Sequence, residues 1–375
     1  MKNRFTAIML SAALTLGLCG CGGMFDSEYV VVNDYVPAVQ AGMVNGDTIT
    51  IASFNELKQA ILGMVSAGKS ESRLTFDQAY DGDVTADMAS ACWEVRTQDA
   101  LCAYCVENIA YDLAQIVTYY EATIYISYSN MVPSAQEIVH MQYSTDISEI
   151  IRGAIEQGQT RLAVLINRSS YSAATMELLV SRLYRATPGI APREPYVNVN
   201  LFSGTGLQRL YEINLSYGVS AQELELRKEQ MAALDPFSDM DIDAMDDARR
   251  AIAACQYLAD TCQYEESGQY DNIYSALIRG QSASEGMALA YVELCSRLGI
   301  SCQIVYGQRN WQDHCWNIIQ LDGANYHVDP AICSENGLEG AFLLRDENIW
   351  GTYRWDTSSY PDCAGPLTYL DLTAE

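Results

Sequence analysis

One segment of the chain, residues 270–330, constrains the fold more than any other. Apolar residues recur at the spacing of one helical face through residues 285–298. Gly299 follows at the place where a helix C-terminal cap belongs. The pattern therefore predicts a helix that has Ser284 at its N-terminus.

A strand and a hairpin follow this predicted helix. Residues 304–306 are β-branched and aromatic, which is typical of a strand. Residues 314–321 and 325–329 flank Asp322-Gly323, the strongest short hairpin signal. The segment is thus predicted to fold as a helix, a strand and a hairpin that carries one histidine and one aspartate.

The two-residue turn fixes the cross-strand register of the hairpin. Counting back from the turn predicts Trp316 opposite Asp329 and His314 opposite Ala331. His314 and Asp329 then lie diagonally on one face, within reach of a hydrogen bond. A helix N-terminus directed at such a pair would ionise a thiol, because the helix dipole and an imidazolium both favour a thiolate. The residue at that N-terminus is Ser284, which has no thiol.

Four motifs in this segment carry a family resemblance. They are Ala283-Ser284-Glu285-Gly286-Met287-Ala288, Leu298-Gly299-Ile300, His314-Cys315-Trp316-Asn317 and Val328-Asp329-Pro330-Ala331. They resemble the core of bacterial transglutaminase-like proteins, a papain-like fold with the pattern Val-Cys-Glu-Gly-Tyr-Ala, Leu-Gly-Ile, His-Ala-Trp-Asn and Val-Asp-Pro-Thr. Phe342-Leu343-Leu344 and Trp355-Asp356-Thr357-Ser358 resemble the end of that domain, so the resemblance covers about residues 239–363.

The resemblance implies a degenerate catalytic triad at Ser284, His314 and Asp329. The histidine and the aspartate match the family pattern, whereas serine stands where the family has its nucleophilic cysteine. This implies a domain that has lost its activity and that binds a peptide or protein segment in the former active-site cleft.

The apolar walls of that cleft are predicted to be Trp311, Trp316 and Tyr306. One alternative function is an enzyme, a serine-nucleophile peptidase or acyl hydrolase on the same fold, in which Ser284 attacks and His314 is the base. A second alternative is a structural surface lipoprotein that has no partner in the cleft.

The same residues also have a purely structural interpretation. Ser282 and Glu285 fit a Ser-x-x-Glu capping box. His314 and Asp329 fit a polar pair that links two strands. Cys315 is not expected to replace the missing thiol, because it follows His314 on a strand and points to the opposite face.

The N-terminal segment predicts export from the cytoplasm. Two basic residues precede an apolar run at residues 5–18, which is too short to span a bilayer but suits a signal-peptide core. Leu18-Cys19-Gly20-Cys21 resembles a lipobox, which implies lipid on Cys21; a plain secretory signal is the alternative. We expect a signal peptide at 1–20, a tether at 21–49, and an extracytoplasmic protein that contacts the membrane through its lipid alone.

The sequence pattern in the middle of the chain predicts an internal duplication, which gives two small α+β modules at 50–130 and 131–218. Each copy has an amphipathic helix, a strand, a second helical stretch and a tyrosine-rich strand. The predicted elements are 54–68, 73–76, 86–113 and 120–128 in the first copy, and 147–158, 161–166, 173–184 and 211–217 in the second. A linker at 219–238, the transglutaminase-like domain at 239–363 and a tail at 364–375 complete the predicted α+β architecture.

Charge and cysteine usage exclude several functions. The formal net charge of −26, with no basic patch to offset it, argues against nucleic acid as a partner. Ten cysteines follow Cys21, which permits disulfides without requiring them. The Cys102-Ala-Tyr-Cys105 motif favours buried thiols, because no strand leads into it as in a thioredoxin-like site. No set of cysteines and histidines has zinc spacing, so we expect no metal and no cofactor.

Overall fold

The computed structural model describes residues 44–45, 48–129 and 137–373, all of which belong to one compact unit, Ala41–Glu375. The predicted signal peptide, the predicted lipidation site Cys21 and most of the predicted tether lie outside these residues. None of the helices among the described residues has both the length and the apolar character needed to cross a membrane.

The first sheet combines a parallel pair of strands with an antiparallel hairpin. β2 and β3 are parallel and joined by α1, while β5 lies antiparallel between β3 and β4, which gives the order β1-β2-β3-β5-β4. The elements are β1 (Val44–Asn45), β2 (Thr48–Ile51), α1 (Phe54–Ser66), β3 (Glu71–Phe76), α2 (Val84–Gln98), α3 (Ala100–Cys105), β4 (Val106–Ile116) and β5 (Tyr119–Tyr128).

The second sheet repeats this topology. β6 and β7 are parallel and joined by α4, and β9 lies antiparallel between β7 and β8, which gives the order β6-β7-β9-β8. The elements are β6 (Val139–Tyr143), α4 (Ile147–Glu156), β7 (Arg161–Arg168), α5 (Ala173–Ala186), β8 (Tyr196–Ser203) and β9 (Arg209–Ser216). The division of the chain into domains at the expected boundaries stays a prediction.

The helical prediction for residues 86–113 is wrong at its C-terminal end. The helices end at Cys105, and β4 follows. Ile109, Tyr111 and Leu113 are half-buried and alternate with exposed neighbours, which is the period of a strand. The cysteine motif itself lies on α3, where both thiols are buried.

The C-terminal region packs helices against a third sheet, in which the strand order is β15-β14-β13-β12-β16. A short parallel pair, β10 and β11, precedes the helix that begins at Ser284. The elements are α6 (Ala221–Ala232), α7 (Asp247–Thr261), β10 (Gln263–Tyr264), β11 (Gln281–Ser282), α8 (Ser284–Arg297), β12 (Cys302–Arg309), β13 (Gln312–Leu321), β14 (Ala324–Val328), α9 (Pro330–Asn336), β15 (Phe342–Leu344), α10 (Asp346–Ile349), β16 (Tyr353–Trp355) and α11 (Tyr369–Thr373).

The predicted hairpin forms between β13 and β14. Asp322 and Gly323 have positive φ angles of 50° and 79°, as a two-residue hairpin turn requires. The register runs as far as Asn317 opposite Val328, as the turn predicts. The predicted pairings of Trp316 with Asp329 and of His314 with Ala331 do not form, because the ladder ends at Val328 and Pro330 begins α9. On the other edge of β13, His314 pairs with Gly307 of β12.

The start of α8 differs from the predicted capping box. The N-cap is Ala283, and no side chain caps the helix. Ser282 Oγ donates to the carbonyl of Tyr270 at 2.7 Å, and Glu285 accepts a hydrogen bond from Tyr306 at 2.9 Å. The two residues therefore bind neighbouring segments rather than each other.

The second sheet and the C-terminal region share one continuous apolar core. The helices α4 and α5 contribute to it together with α7, α8 and the inner face of the third sheet. Direct contacts cross this boundary: Tyr274 N–H donates to the carbonyl of Pro192 at 3.2 Å, and the Arg185 guanidinium lies 4.2 Å from the Tyr306 ring centroid. The start of α8 is thus supported from two sides.

Candidate active site

Ser284 occupies the first turn of α8 and is 9% exposed. Its Oγ accepts a hydrogen bond from the backbone N–H of Cys315 on β13 at 3.2 Å. The unpaired N–H groups of the helix start and their dipole favour negative charge at this position. The environment therefore suits an anionic side-chain atom better than a neutral hydroxyl.

His314 and Asp329 form the predicted pair. His314 Nε2 lies 2.7 Å from Asp329 Oδ2, and both side chains are buried, at 5% and 2% exposed. An ionised carboxylate only accepts hydrogen bonds, so Nε2 carries the proton and Nδ1 of a neutral ring presents a lone pair. Among the described residues, no hydrogen bond joins His314 to Ser284.

Two further donors hold Asp329. The Tyr353 hydroxyl donates to Oδ2 at 2.8 Å, and the backbone N–H of Ile332 donates to Oδ1 at 3.1 Å. Burial and the neighbouring Asp329 raise the pKa of the Tyr353 hydroxyl, so Tyr353 stays a donor. Asp329 thus orients His314 and also caps the N-terminus of α9.

Sequence reasoning missed Tyr353. It lies 24 residues beyond Asp329, in a strand of only three residues. No short motif connects it to the hairpin, because its position depends on β16 pairing with the far side of β12.

A polar cluster links the first turn of α8 to the second module. The Tyr306 hydroxyl donates to Glu285, and the Arg185 guanidinium stacks on the Tyr306 ring. Arg185 in turn donates to Glu194 at 3.0 Å. Burial raises the pKa of the Glu285 carboxyl, although the Tyr306 hydrogen bond and the charge of Arg185 oppose that shift.

The predicted cleft walls need one correction. Trp316 is fully buried, and its Nε1 donates to His327 Nδ1 at 3.0 Å, so it cannot line an open cleft. Trp311 is 73% exposed on the turn between β12 and β13, where the Arg354 guanidinium stacks on its ring at 3.1 Å. Tyr306 is half-buried beside Glu285. Trp316 instead stacks on His314 as part of its support.

Cys315 follows His314 on β13, and its side chain packs into the main core beside α8. Trp316 belongs to a separate cluster on the other side of the sheet, which is the alternation expected of a strand. Burial, followed by the nearby Glu285 carboxylate, raises the pKa of the Cys315 thiol. Cys315 is therefore a protonated core residue and a poor nucleophile.

The ten cysteines of the described residues are all free thiols. Cys255 lies beside Cys333, and Cys295 lies beside Cys302. Burial is the main cause of the raised pKa of Cys255 and of Cys302, and a hydrogen bond to the neighbouring thiol adds to it. These thiols serve as core residues.

His327, Asp346 and Cys363 form the one compact group among the described residues with three potential metal ligands, all within 4.8 Å of one another. Trp316 Nε1 can only donate, so His327 Nδ1 must accept and the proton of the neutral ring lies on Nε2. That proton is donated to Asp346 Oδ1 at 2.8 Å. His327 thus has no lone pair for a metal, and the donor set does not fit one.

A family model described as the transglutaminase-like superfamily matches residues 238–330, a segment that contains Ser284, His314 and Asp329. No curated protein matches the chain. The chain therefore carries a transglutaminase-like domain within a mixed helix and strand fold.

Three solved structures are distantly similar to this chain. A TGase is 10% identical, with a TM-score of 0.27 over 60% of this chain and 63% of its own. A candidate cysteine protease from Cytophaga hutchinsonii is 10% identical, with a TM-score of 0.23 over 36% of this chain and 62% of its own. A candidate protease from Parabacteroides distasonis is 7% identical, with a TM-score of 0.21 over 56% and 45%. The chain thus spans less than two thirds of each.

Proposed function

We propose that this protein is a lipid-anchored, extracytoplasmic member of the transglutaminase-like group that has serine in place of the nucleophilic cysteine. In this proposal it is catalytically inactive and binds a peptide or protein segment at the cell surface. The supporting observation is the hydrogen bonding of Ser284 Oγ, which engages the Cys315 N–H and not His314.

The loss of activity follows from the chemistry of the hydroxyl. A cysteine in such a site reacts through a thiolate that forms before attack, whereas a serine must transfer its proton to a base during attack. The position of Ser284 provides a helix dipole and an N–H donor, both of which help an anion. Neither of them removes a proton from a hydroxyl.

One observation favours the second candidate, a serine-nucleophile peptidase or acyl hydrolase. Asp329 holds the proton of His314 on Nε2, so Nδ1 is free to act as a base in the neutral ring. Movement of the imidazole toward Ser284 would complete a triad, and catalytic hydrogen bonds often tighten only when substrate is bound.

Covalent labelling separates these two candidates. The purified protein is treated with a serine-directed phosphonate, and the site of labelling is mapped by mass spectrometry. We expect no label at Ser284 in the wild type or in His314→Ala. A label at Ser284 that disappears in His314→Ala would establish the enzyme and reject the inactive form.

The binding proposal rests on the edge of the third sheet beside the site, although an isolated bridge between Trp350 and Tyr353 covers part of that edge. β16 is the last strand of the third sheet, and its Tyr353 contacts Asp329. Extended peptides commonly add to such an edge through backbone hydrogen bonds. A tryptic peptide mixture should therefore slow amide hydrogen exchange in residues 353–355. Unchanged exchange there would reject peptide addition at this edge.

The proposed location has its own test. A diacylglyceryl group on Cys21 would anchor the protein stably, because two chains exceed the marginal binding of one. Cys21→Ser should leave the membrane fraction or stay unprocessed. Normal processing together with unchanged membrane association of Cys21→Ser would reject the lipid anchor.

A further inference from the structure

A cleft of 210 Å³ lies between the second module and the start of α8. Residues 193–196 form one side, just before and at the start of β8. Asp271, Asn272, Glu285 and Leu289 form the other side. The cleft is smaller than a site for a drug-sized ligand, so any occupant is small.

Arg193 brings an unpaired cation to this cleft. Its Nη2 donates to the Tyr196 hydroxyl at 2.9 Å, and the guanidinium lies 4.9 Å from that ring centroid. Within the described part of the chain, Arg193 forms no ion pair, and its Nε is buried without an acceptor. A buried donor without an acceptor is unfavourable, so this arginine is suited to an added acceptor group.

Asp271 brings an unpaired anion to the same cleft. No hydrogen bond or ion pair engages its carboxylate among residues 48–129 and 137–373. The other two carboxylates of the cleft are occupied: Glu194 accepts from Arg185 and Ser181, and Glu285 accepts from Tyr306. Arg193 and Asp271 thus line one cleft without pairing with each other.

We propose that this cleft binds a small zwitterion of amino-acid or dipeptide size. The ligand carboxylate binds the side of the Arg193 guanidinium that carries Nε, an arrangement in which two parallel N–H groups donate to two oxygens. The ligand ammonium binds Asp271. Because this Nε–H is buried, the Arg193 side chain rotates to present it to the cleft, and the Nε–H then gains its missing acceptor.

The charges of the cleft select against simpler ions. Three carboxylates and one guanidinium line it, so a phosphate or another anion without a positive group is repelled. A cation without a carboxylate leaves Arg193 unpaired. The ligand class follows from both groups together, and it does not depend on whether Ser284 is catalytic.

Titration calorimetry on the full-length chain tests this inference with three achiral probes: glycylglycine, its methyl ester and its N-acetyl derivative. The ester lacks the carboxylate and the acetyl form lacks the ammonium. We expect glycylglycine to bind in the millimolar range or tighter, and each blocked form to bind about tenfold or more weakly, since each loses one charge-assisted contact. Absence of glycylglycine binding, or equal binding of the three probes, would overturn the proposal.

Variants locate the binding. Arg193→Gln and Asp271→Asn should each weaken glycylglycine binding about tenfold, while Arg193→Lys retains part of it. Arg354→Gln is the matched control, because that arginine lies outside the cleft and stacks on Trp311. Circular dichroism confirms that each variant is folded. Wild-type affinity in folded Arg193→Gln and Asp271→Asn would place the ligand elsewhere and reject the inferred site.

Discussion

Asp329 is the residue on which the candidate site depends most. Its two oxygens receive three hydrogen bonds, from His314, Tyr353 and the N–H of Ile332, while the residue is 2% exposed. One carboxylate therefore fixes the imidazole, anchors β16 and caps α9. These three structural roles of Asp329 do not depend on whether residue 284 is reactive.

Asp329→Ala should lower the free energy of unfolding by roughly 1 to 3 kcal/mol, because it leaves buried donors without an acceptor. The matched control is Asp313→Ala, which removes an exposed carboxylate two residues from Trp311 and should change stability by less than about 0.5 kcal/mol. Urea denaturation measures both. An unchanged midpoint for Asp329→Ala would mean that the three hydrogen bonds are absent in solution.

His327 predicts a dependence of stability on pH. Burial lowers its pKa below the ordinary value of about 6.5, and the Asp346 carboxylate only partly opposes that shift. A second proton on the His327 ring would lie on Nδ1 and face the Nε1–H of Trp316. Protonation therefore breaks the hydrogen bond between Trp316 and His327. The folded state thus binds fewer protons than the unfolded state. The stabilisation that neutral His327 provides is therefore complete above the pKa that His327 has in the unfolded state. It is lost as the pH falls through the lower pKa that His327 has in the folded state.

The urea midpoint of the wild type should therefore fall between pH 7.5 and pH 5.5 by more than that of His327→Gln. Glutamine can accept from Trp316 and donate to Asp346 without titrating. Other titrating groups are shared by the two proteins and cancel in the difference. Identical pH profiles would show that His327 does not titrate differently in the folded state.

The sequence predicted some of the residue contacts in the candidate site. The contact between His314 and Asp329 was predicted from the two-residue turn, and it forms although the β13–β14 ladder ends at Asn317 and Val328. Tyr353 and the burial of Trp316 could not be predicted, because both depend on the pairing of β16 with β12, which no local pattern in the sequence indicates.

At the scale of elements, Gly286 allows α8 to approach the segment before it. A Cβ at this position would lie 2.2 Å from Ser282 Oγ and 2.6 Å from the carbonyl oxygen of Asn272. The Asn272 backbone could move away from such a Cβ only at a cost in free energy, so only glycine fits at position 286. This approach sets where the first turn of α8 places Ser284.

Gly286→Ala should therefore destabilise the protein by about 1 to 3 kcal/mol through overpacking. The matched control is Gly63→Ala in α1, where no atom lies within 4 Å of the added Cβ. That change should stabilise by roughly 0.5 to 1 kcal/mol, because alanine favours a helix. Thermal melting of the two variants should shift in opposite directions, and a neutral Gly286→Ala would reject the close approach.

The sequence identified most helices but failed where two patterns overlapped. The α3 helix runs directly into β4, and no glycine or proline separates them, so the strand was assigned to the helix. The capping box failed for a different reason. Ser282 and Glu285 have the right spacing, but neighbouring segments offer both side chains better partners.

At the scale of the whole molecule, the second module and the C-terminal region share a core. Their contacts join residues that are far apart in sequence, such as Arg185 and Tyr306, so no local pattern could reveal them. The sequence showed that the two copies share an order of helix and strand patterns, but not their sheet topology, because β2, β4, β6 and β8 were not predicted.

A fragment of residues 219–375 should therefore fold poorly alone, because it would expose the apolar faces that α4 and α5 cover. Calorimetry of the fragment should show a broad or missing transition, whereas the full chain shows a cooperative one. A fragment that melts cooperatively at the temperature of the full chain would mean that the shared core contributes little.

In the proposed function, the site retains the environment of a reactive thiol and lacks only the thiol. The direct test is the rate of alkylation at position 284 as a function of pH in Ser284→Cys, with and without His314→Ala, and with the wild type as a blank for the other cysteines. The helix dipole, the Cys315 N–H and His314 should lower the pKa of the new thiol below the free value of about 8.5, and His314→Ala should raise it again. A thiol that stays inert, and that His314→Ala does not affect, would show that the site does not retain the environment of a reactive thiol.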